Sequence, residues 1–334
     1  MKTVSGIIKL PKQKEVFAVQ SKAAKAVRLG RDQKPSLLRQ YIKYKYLVFI
    51  FIPPVIFYLM FCYWPLYGVQ IAFKDYSYTK GIWGSPWVGF QTFIDIFNTA
   101  SFWQVFKNTL IISVYKFAIS FPVPIIFAIF LNELRGKMFK KAVQTISYLP
   151  HFISWVVLGG ICVQLLSPTT GPVNMLIKAI GLEPIYFLGD SNWFRTTLVL
   201  TAVWKSFGWG SIVYLAALTG IDPTLYEAAY MDGANRFQRI IHITIPSITP
   251  VITIMLIMNI GTIVNDDFDQ VFNLYNSAVY NVGDVLSTYT YRVGLVDMDY
   301  SFGTAVGLFK NVLAFALVTL ANTISKRISE YSLW

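Results

Sequence analysis

Long runs of apolar residues alternate with shorter polar segments along most of this chain. Six of these runs have close to the roughly 20 residues that a helix needs to cross a bilayer. They cover residues 46–73, 106–131, 148–166, 193–218, 248–264 and 304–324. Helices that are apolar on all sides suit lipid rather than the surface of a soluble protein. The pattern therefore predicts six transmembrane helices.

The composition agrees with a polytopic membrane protein. Of the 334 residues, 55% are hydrophobic and only 14% are charged, and the mean hydropathy is +0.51. An ordinary soluble domain contains about 25% charged residues. These values exclude soluble nucleotide-binding folds, barrels and sandwiches.

Positive charge is concentrated at the N-terminus. Residues 1–45 contain 12 Lys and Arg but only two acidic residues, whereas the whole chain has a net charge of +12. Basic residues beside a first membrane span hold that end in the cytoplasm and attract anionic lipid head groups. We therefore interpret 1–45 as a basic cytoplasmic segment that contacts membrane lipid and not nucleic acid. Residues 46–327 form the transmembrane domain, and 328–334 form a cytoplasmic tail.

Charge also alternates between successive loops. Segment 132–147 carries four basic residues and one acidic residue, whereas 265–303 carries six aspartates and one arginine. Because cytoplasmic loops carry the excess of Lys and Arg, both termini are predicted to be cytoplasmic. The fold class is then an all-α integral membrane protein with six transmembrane helices.

The loop at 219–247 lies on the predicted cytoplasmic side although it lacks a basic excess. Its pattern predicts two short helices joined at a glycine. Asp222 suits an N-cap with Pro223 at the first helical position, and Gly233 suits the left-handed residue that ends a helix. Pro246 marks the entry to the fifth span. A capped surface loop and a docking segment for a cytosolic partner both fit this pattern.

The same loop resembles the EAA loop of ABC importer permeases. The family pattern is Glu-Ala-Ala, then Gly, then Ile and Leu-Pro at fixed spacing, and here it reads Glu227-Ala228-Ala229, Gly233, Ile243 and Ile245-Pro246. Ile245 replaces the usual Leu, which is a conservative change. In that family the loop forms a coupling helix that docks onto the ATP-hydrolysing subunit. The resemblance implies an ABC importer permease-type fold and coupling roles for Glu227, Ala228, Ala229, Asp232, Gly233 and Pro246.

Three further segments resemble the LplB-type permeases of carbohydrate importers, which are similar to the permeases of the maltose importer. They cover residues 65–75, 268–276 and 289–294. The resemblance implies a location in the bacterial cell membrane and an oligosaccharide or polysaccharide-fragment substrate. It also implies three kinds of protein partner: a second homologous permease subunit, two copies of a cytosolic ABC ATPase and an extracellular solute-binding protein.

Polar and aromatic residues inside or beside the predicted spans are candidates for the substrate pathway, since a sugar site needs hydrogen-bonding side chains and aromatic faces. Interhelical packing is the alternative role for each of them. The candidates are Trp204, Trp209, Tyr214, Asn259, Asn265 and Gln270.

The sequence lacks the patterns of catalytic or nucleotide sites. It contains no Gly-x-x-x-x-Gly-Lys-Ser/Thr phosphate loop and no His-Glu-x-x-His motif. We therefore expect no metal and no cofactor, and we expect ATP hydrolysis in a separate subunit. The acidic cluster at 265–269 is interpreted as a hydrated cap. Three alternatives remain: a permease for a non-sugar solute such as a peptide or glycerol phosphate, an intramembrane enzyme, and a secondary transporter.

Overall fold

The computed structural model describes residues 43–134, 136–260 and 267–328. Within these ranges the chain is helical or irregular, and its one β-type pairing is an antiparallel bridge between Lys74 and Trp87. The all-α prediction is confirmed. Nearly all of the predicted basic segment 1–45 and of the tail 328–334 lies outside the described residues.

The helix bounds are as follows. The α-helices are α1 Lys45–Tyr58, α2 Gly81–Gly84, α3 Gln91–Asn98, α4 Ala100–Ser120, α5 Pro122–Glu133, α6 Lys137–Tyr148, α7 Trp155–Leu165, α8 Pro172–Ala179, α9 Ser191–Thr219, α10 Pro223–Met231, α11 Arg236–Arg239, α12 Ile245–Ile260, α13 Phe268–Leu274, α14 Tyr280–Gly283, α15 Leu286–Tyr291 and α16 Tyr300–Ile328. Segments of 3₁₀-helix cover Trp64–Phe73, Leu149–Phe152 and Ser277–Val279, and π-helical turns cover Leu59–Tyr63, Ile240–Thr244 and Arg292–Val296.

The described residues divide into two units, with the boundary between Tyr67 and Gly68. In the first unit, every described side chain from position 43 to position 67 is exposed. Helix α1 contains Pro53 and Pro54 in its interior and carries no charged residue after Lys45. An exposed and almost wholly apolar helix is the expected form of a segment that is surrounded by lipid.

In the described part of the chain, five helical segments are long and apolar enough to cross a membrane. They are Lys45–Phe73, Ala100–Glu133, Ser191–Thr219, Arg236–Ile260 and Tyr300–Thr323. Each overlaps one of the six predicted spans. The sixth prediction, at 148–166, has a different structure.

The third predicted span is not one straight helix, so its predicted bounds are wrong. Segment Lys137–Phe152 ends at a break, and Trp155–Leu165 continues at an angle of 107°. Helix α7 has 11 residues and a length of about 16 Å, which is too short to cross a 30 Å hydrocarbon core alone. Pro150 lies in the 3₁₀ turn before the break, and Ser154 caps α7 by accepting a hydrogen bond from the Val157 amide. The two segments together have the length and hydropathy of one bent span.

A lysine from α9 stabilises this break. The Lys205 ammonium donates a hydrogen bond to the carbonyl oxygen of Ile153, which lies between the two segments. The same ammonium lies 4.8 Å from the centre of the Trp155 ring. A cation inside a membrane protein is costly unless it has such partners. The Ile153 carbonyl lies between two helices and lacks an intrahelical donor, so the Lys205 ammonium supplies the hydrogen bond that this carbonyl needs.

The fifth span begins earlier than predicted. Helices α11 and α12 and the π-helical turn between them form one 25-residue segment, Arg236–Ile260. The expected second short helix of the 219–247 loop is therefore the start of the span itself. Inside an α-helix, a proline ring clashes with the backbone carbonyl one turn before it. The π-helical turn at Ile240–Thr244 is wider than an α-helical turn, so it provides room for the ring of Pro246.

Helix α9 lies at the centre of the second unit, where it packs against α4, α5, α6 and α12. Phe194 and Leu198 on α9 join Leu158 of α7 and Val271 of α13 in one buried apolar cluster. Because α9 contacts so many neighbours, its position fixes the walls of the space between them.

Thiol labelling tests the predicted orientation. In a variant with Cys62 and Cys162 replaced by alanine, we expect a cysteine at Met231 to react only from the cytoplasm and one at Tyr78 or Met298 only from outside. All three side chains are strongly exposed, so accessibility to a membrane-impermeant maleimide depends on the side of the membrane. Labelling of position 231 in intact cells would contradict both the six-span topology and a cytoplasmic 219–247 loop.

Candidate functional site

The 219–247 segment, called here the coupling loop, has the predicted caps. The Asp222 carboxylate accepts a hydrogen bond of 2.9 Å from the Thr224 amide, and Pro223 is the first residue of α10. This backbone hydrogen bond lowers the pKa of the Asp222 carboxyl. At the other end Gly233 has φ of +83°, so the left-handed conformation expected there is confirmed.

The next helix starts directly after this turn. The Asn235 side chain accepts from the Gln238 amide at 2.9 Å, while the Gln238 side chain accepts from the Asn235 amide at 2.8 Å. This reciprocal pair is a capping box. A second short helix after the glycine was predicted from the sequence, but the capping box, which the Asn-x-x-Gln spacing indicates, was not.

The coupling loop presents an exposed surface with apolar side chains. Tyr230 and Met231 are mostly exposed, and the Arg239 guanidinium lies 5.8 Å from the centre of the Tyr230 ring. A groove of about 340 Å³ next to them is lined by Ala229, Asp232 and Gly233, among others. Exposed apolar residues beside a groove are typical of a protein-binding surface.

One hydrogen bond ties α10 to the fifth span. The Tyr226 hydroxyl and the Thr244 hydroxyl are 2.9 Å apart, and Thr244 is buried in the π-helical turn directly before α12. This hydrogen bond connects α10 to the base of α12. This contact brings together two parts of the loop that are 18 residues apart in the sequence.

The structure places five of the six coupling candidates in one short stretch. Glu227 and Ala228 are exposed on α10, and Ala229, Asp232 and Gly233 line the groove at its end. Pro246 is exposed at the start of α12, beyond the π-helical turn, and does not line this groove. It bears on the shape of the fifth span rather than on the docking surface.

A cavity of about 470 Å³ lies among α4, α5, α9 and α12. Its walls combine aromatic rings, hydroxyl groups, one amide side chain and one ion pair. The polar and aromatic lining residues are Ser113, Lys116, Phe117, Ser120, Phe121, Ser206, Trp209, Tyr214, Asn259 and Asp267. Apolar walls with a few polar groups are typical of small-molecule sites, and the volume is in the usual range.

Three of the six substrate-pathway candidates line this cavity, namely Trp209, Tyr214 and Asn259. The Trp209 ring stacks on the His151 ring with centres 4.7 Å apart and an interplanar angle of 2°. Tyr214 is almost wholly buried. Trp204 is not among the lining residues, and Asn265 lies outside the described residues.

Gln270 supports the wall from behind rather than facing the cavity. Its side chain is fully buried, and its amide nitrogen donates to the Leu198 carbonyl at 2.7 Å and to the Thr201 hydroxyl at 2.9 Å. These bonds join α13 to α9. The amide oxygen accepts from the Lys116 ammonium at 2.7 Å. Gln270 is therefore placed to position Lys116.

Lys116 was not among the site candidates identified from the sequence. The Lys116 ammonium donates to the Asp267 carboxylate at 2.9 Å as well as to Gln270, and both ionic groups border the cavity. Its position inside an apolar run was the available signal, because a charged residue in a membrane span is costly and often functional.

We expect Trp209→Ala to lower solute uptake at subsaturating concentration by about tenfold, because it removes an aromatic wall of the cavity. Trp204→Ala is the matched control: it deletes the same side chain one and a half turns away, outside the cavity lining, and it should change uptake less than twofold. Initial uptake rates, normalised to the amount of assembled importer, measure both effects. Equal rates for the two variants would contradict a role for the cavity in uptake.

Most of the residues of this loop and cavity lie in a stretch that matches a known protein family. Residues 120–330 match the family model described as "Binding-protein-dependent transport system inner membrane component". This range contains the coupling loop and most of the cavity lining.

Two relatives from Bacillus subtilis (strain 168) are similar over most of their length. The chain is 42% identical to the polygalacturonan/rhamnogalacturonan transport system permease protein YteP, over 94% of this chain and 98% of the relative. It is 43% identical to protein LplB, over 87% of this chain and 91% of the relative. The expected resemblance to LplB-type permeases is thus confirmed.

A solved structure has the same fold. A chain in the crystal structure of a bacterial ABC transporter that imports the acidic polysaccharide alginate aligns with a TM-score of 0.81 and 41% identity, covering 88% of this chain and 99% of that chain. A bacterial alginate ABC transporter has also been solved in complex with a periplasmic protein that carries an alginate pentasaccharide, and a chain of that complex aligns with a TM-score of 0.82 and 40% identity. The family match, the near full-length relatives and this shared fold lead to one conclusion: the chain is a multi-pass membrane permease, not an enzyme, and it belongs to the family of binding-protein-dependent transport system inner membrane components.

Proposed function

We propose that this chain is one permease subunit of an ATP-driven importer that carries an oligosaccharide or polysaccharide fragment into a bacterial cell. The observation that carries this proposal is a direct connection between the exposed surface of α10 and the cavity. The exposed α10 docking surface is tied through Tyr226 and Thr244 to α12, and α12 contributes Met255 and Asn259 to the cavity. The carbohydrate substrate follows from the similarity to permeases that are named for polysaccharides.

The protein partners are inferred from the missing phosphate loop and from the exposed surface of α10. It has no phosphate loop, so ATP hydrolysis requires a separate subunit, and α10 is the surface offered to that subunit. By analogy with the importer family, we infer two ATPase copies, a second homologous permease and an extracellular binding protein. The alginate importer was solved with such a binding protein.

The transport cycle then follows from the geometry. Closure of the ATPases on ATP displaces α10, and the Tyr226–Thr244 hydrogen bond carries this displacement to the base of α12. Helix α9 leads directly into the coupling loop and also lines the cavity. Movement of α9 and α12 against α4 and α5 reshapes the cavity, which is how an importer alternates between outward and inward access.

Charge reversal on α10 tests the docking surface. We expect Glu227→Lys to reduce the ATP hydrolysis that loaded binding protein stimulates by at least about tenfold, because the exposed carboxylate would pair with a cation on the ATPase. Glu227→Gln keeps the size of the side chain and should retain more activity. Malachite green assays on the purified complex measure both rates. Full stimulation in Glu227→Lys with normal ATPase recruitment would contradict a docking role for this residue.

Uptake by cells tests the substrate class. Cells with and without this chain are given labelled oligosaccharides, a dipeptide and glycerol phosphate. We expect only oligosaccharide uptake to depend on the chain and to return when it is expressed from a plasmid. Loss of dipeptide or glycerol phosphate uptake, with oligosaccharide uptake intact, would overturn the carbohydrate assignment and leave the family assignment unchanged.

A further inference from the structure

We propose that Lys116 binds a carboxylate of the transported sugar, so that this permease selects acidic oligosaccharides, those that contain uronate residues. This proposal rests on the proposed function as a carbohydrate permease. It adds the charge of the substrate and the residue that recognises it.

Lys116 is held at the cavity by two different partners. Its side chain, 18% exposed, lies between the fully buried Gln270 amide and the Asp267 carboxylate, which is 54% exposed. Gln270 is fixed in turn by its bonds to Leu198 and Thr201 on α9. One partner is therefore part of the packed core, and the other is open to solvent.

This asymmetry permits an exchange of anions. A buried ammonium is costly without an anionic partner, whereas a half-exposed carboxylate is solvated well without its cation. A uronate carboxylate that enters the cavity can replace Asp267 at the Lys116 ammonium, and Asp267 then returns to water. A neutral sugar offers no such replacement, so it leaves the Lys116–Asp267 pair intact.

The cavity lining around Lys116 favours the same ligand. Of the described residues that line it, Lys116 and Asp267 carry the charges at neutral pH. Ser113 and Ser120 border the cavity from the same face of α4, three residues before Lys116 and four residues after it. The Ser120 hydroxyl oxygen is itself closed off from solvent, so recognition of an anionic ligand rests on the Lys116 ammonium.

The test compares an acid with its ester in the complete importer. Proteoliposomes that contain both permeases, the ATPase and the binding protein are given a galacturonate trisaccharide or its methyl ester below saturation. The binding protein is identical in every sample, so the ratio of acid to ester uptake, relative to wild type, isolates the contribution of the permease.

We expect Lys116→Met to lower this ratio by about tenfold or more, the loss that corresponds to one charge-assisted hydrogen bond. Lys116→Arg should restore most of it. Lys107→Met, on the same helix but exposed and outside the cavity lining, is the matched control and should leave the ratio unchanged. Asp267→Asn should raise the ratio, because it removes the carboxylate that competes with the substrate.

Other outcomes separate this proposal from the proposed function. If Lys116→Met and Asp267→Asn lower acid and ester uptake by the same factor, the ion pair serves only the structure and the proposal is wrong. Uptake of neutral trisaccharides alone by the wild-type importer would overturn acidic selectivity but keep the carbohydrate assignment. If the complex takes up no sugar at all, the proposed function itself fails.

Discussion

Replacing Gly233 by valine is expected to uncouple the importer, reducing binding-protein-stimulated ATP hydrolysis by at least about tenfold without preventing membrane insertion. Gly233 has φ of +83°, and a Cβ built there has no heavy atom within 4 Å. The substitution therefore creates no clash, and its whole effect comes from the backbone. A β-branched residue is strongly disfavoured at positive φ, so valine forces the turn between α10 and α11 into another conformation.

A matched substitution separates conformation from side-chain size. Asparagine tolerates the left-handed conformation, so Gly233→Asn should keep most of the stimulated hydrolysis although it adds a larger polar group. Both variants should assemble with the second permease and the ATPase in equal amounts on affinity purification. Equal stimulation in the valine and wild-type complexes would show that the geometry of this turn is not needed for coupling.

Replacing Gly208 by alanine is expected to destabilise the permease by about 1–3 kcal/mol, the typical cost of overpacking. A Cβ at Gly208 on α9 would lie 2.2 Å from the backbone oxygen of Ser147 at the end of α6. Backbone atoms cannot rotate away, so the two helices must separate. That separation would disturb the bent third span, because α6 leads directly into the break at Pro150.

The control for this variant is Gly160→Ala on α7, where an added Cβ meets no atom within 4 Å. Because alanine favours helix more than glycine does, this variant should be as stable as the wild type or slightly more so. Thermal inactivation, followed by size-exclusion chromatography in detergent, compares the two variants. If both lose their monodisperse peak at the same temperature, close packing at Gly208 does not hold α9 against α6.

Local sequence signals predicted the coupling loop well. The Asp222 cap, the proline after it and the left-handed Gly233 all occur as expected. Each depends on the conformational preferences of one or two residues, and these preferences act within a single turn. Most of the membrane spans were predictable for a similar reason, because the length of an apolar run is a local property.

The bent third span was not predicted, because hydropathy along the run 148–166 is continuous across the change in chain direction. Pro150 and the Ser154 cap were the local signals of a break. The carbonyl that the break exposes is bonded by Lys205, which is 52 residues away in the sequence. Long-range contacts of this kind cannot be read from periodicity.

The lining of the cavity, too, was only partly predictable from the sequence. Trp209, Tyr214 and Asn259 were identified because aromatic and amide groups suit a sugar site, and they do line one space. Gln270 was assigned to the pathway by the same reasoning but is buried behind the wall. Residue type alone does not distinguish a side chain that faces a cavity from one that supports it. The Lys116 ammonium is held at the cavity by Asp267 and Gln270, which lie more than 150 residues further along the chain. Contacts at that separation are not visible in the local sequence.

ATP-driven accumulation of a labelled oligosaccharide in proteoliposomes tests the central claim most directly. The vesicles contain this chain, the second permease and the ATPase, with loaded binding protein on the outer side and ATP inside. We predict that sugar accumulates only when all four proteins and ATP are present, and that accumulation falls to background when this chain carries Gly233→Val. Undiminished ATP-driven accumulation in vesicles that lack this chain, or none in the complete system, would contradict the account.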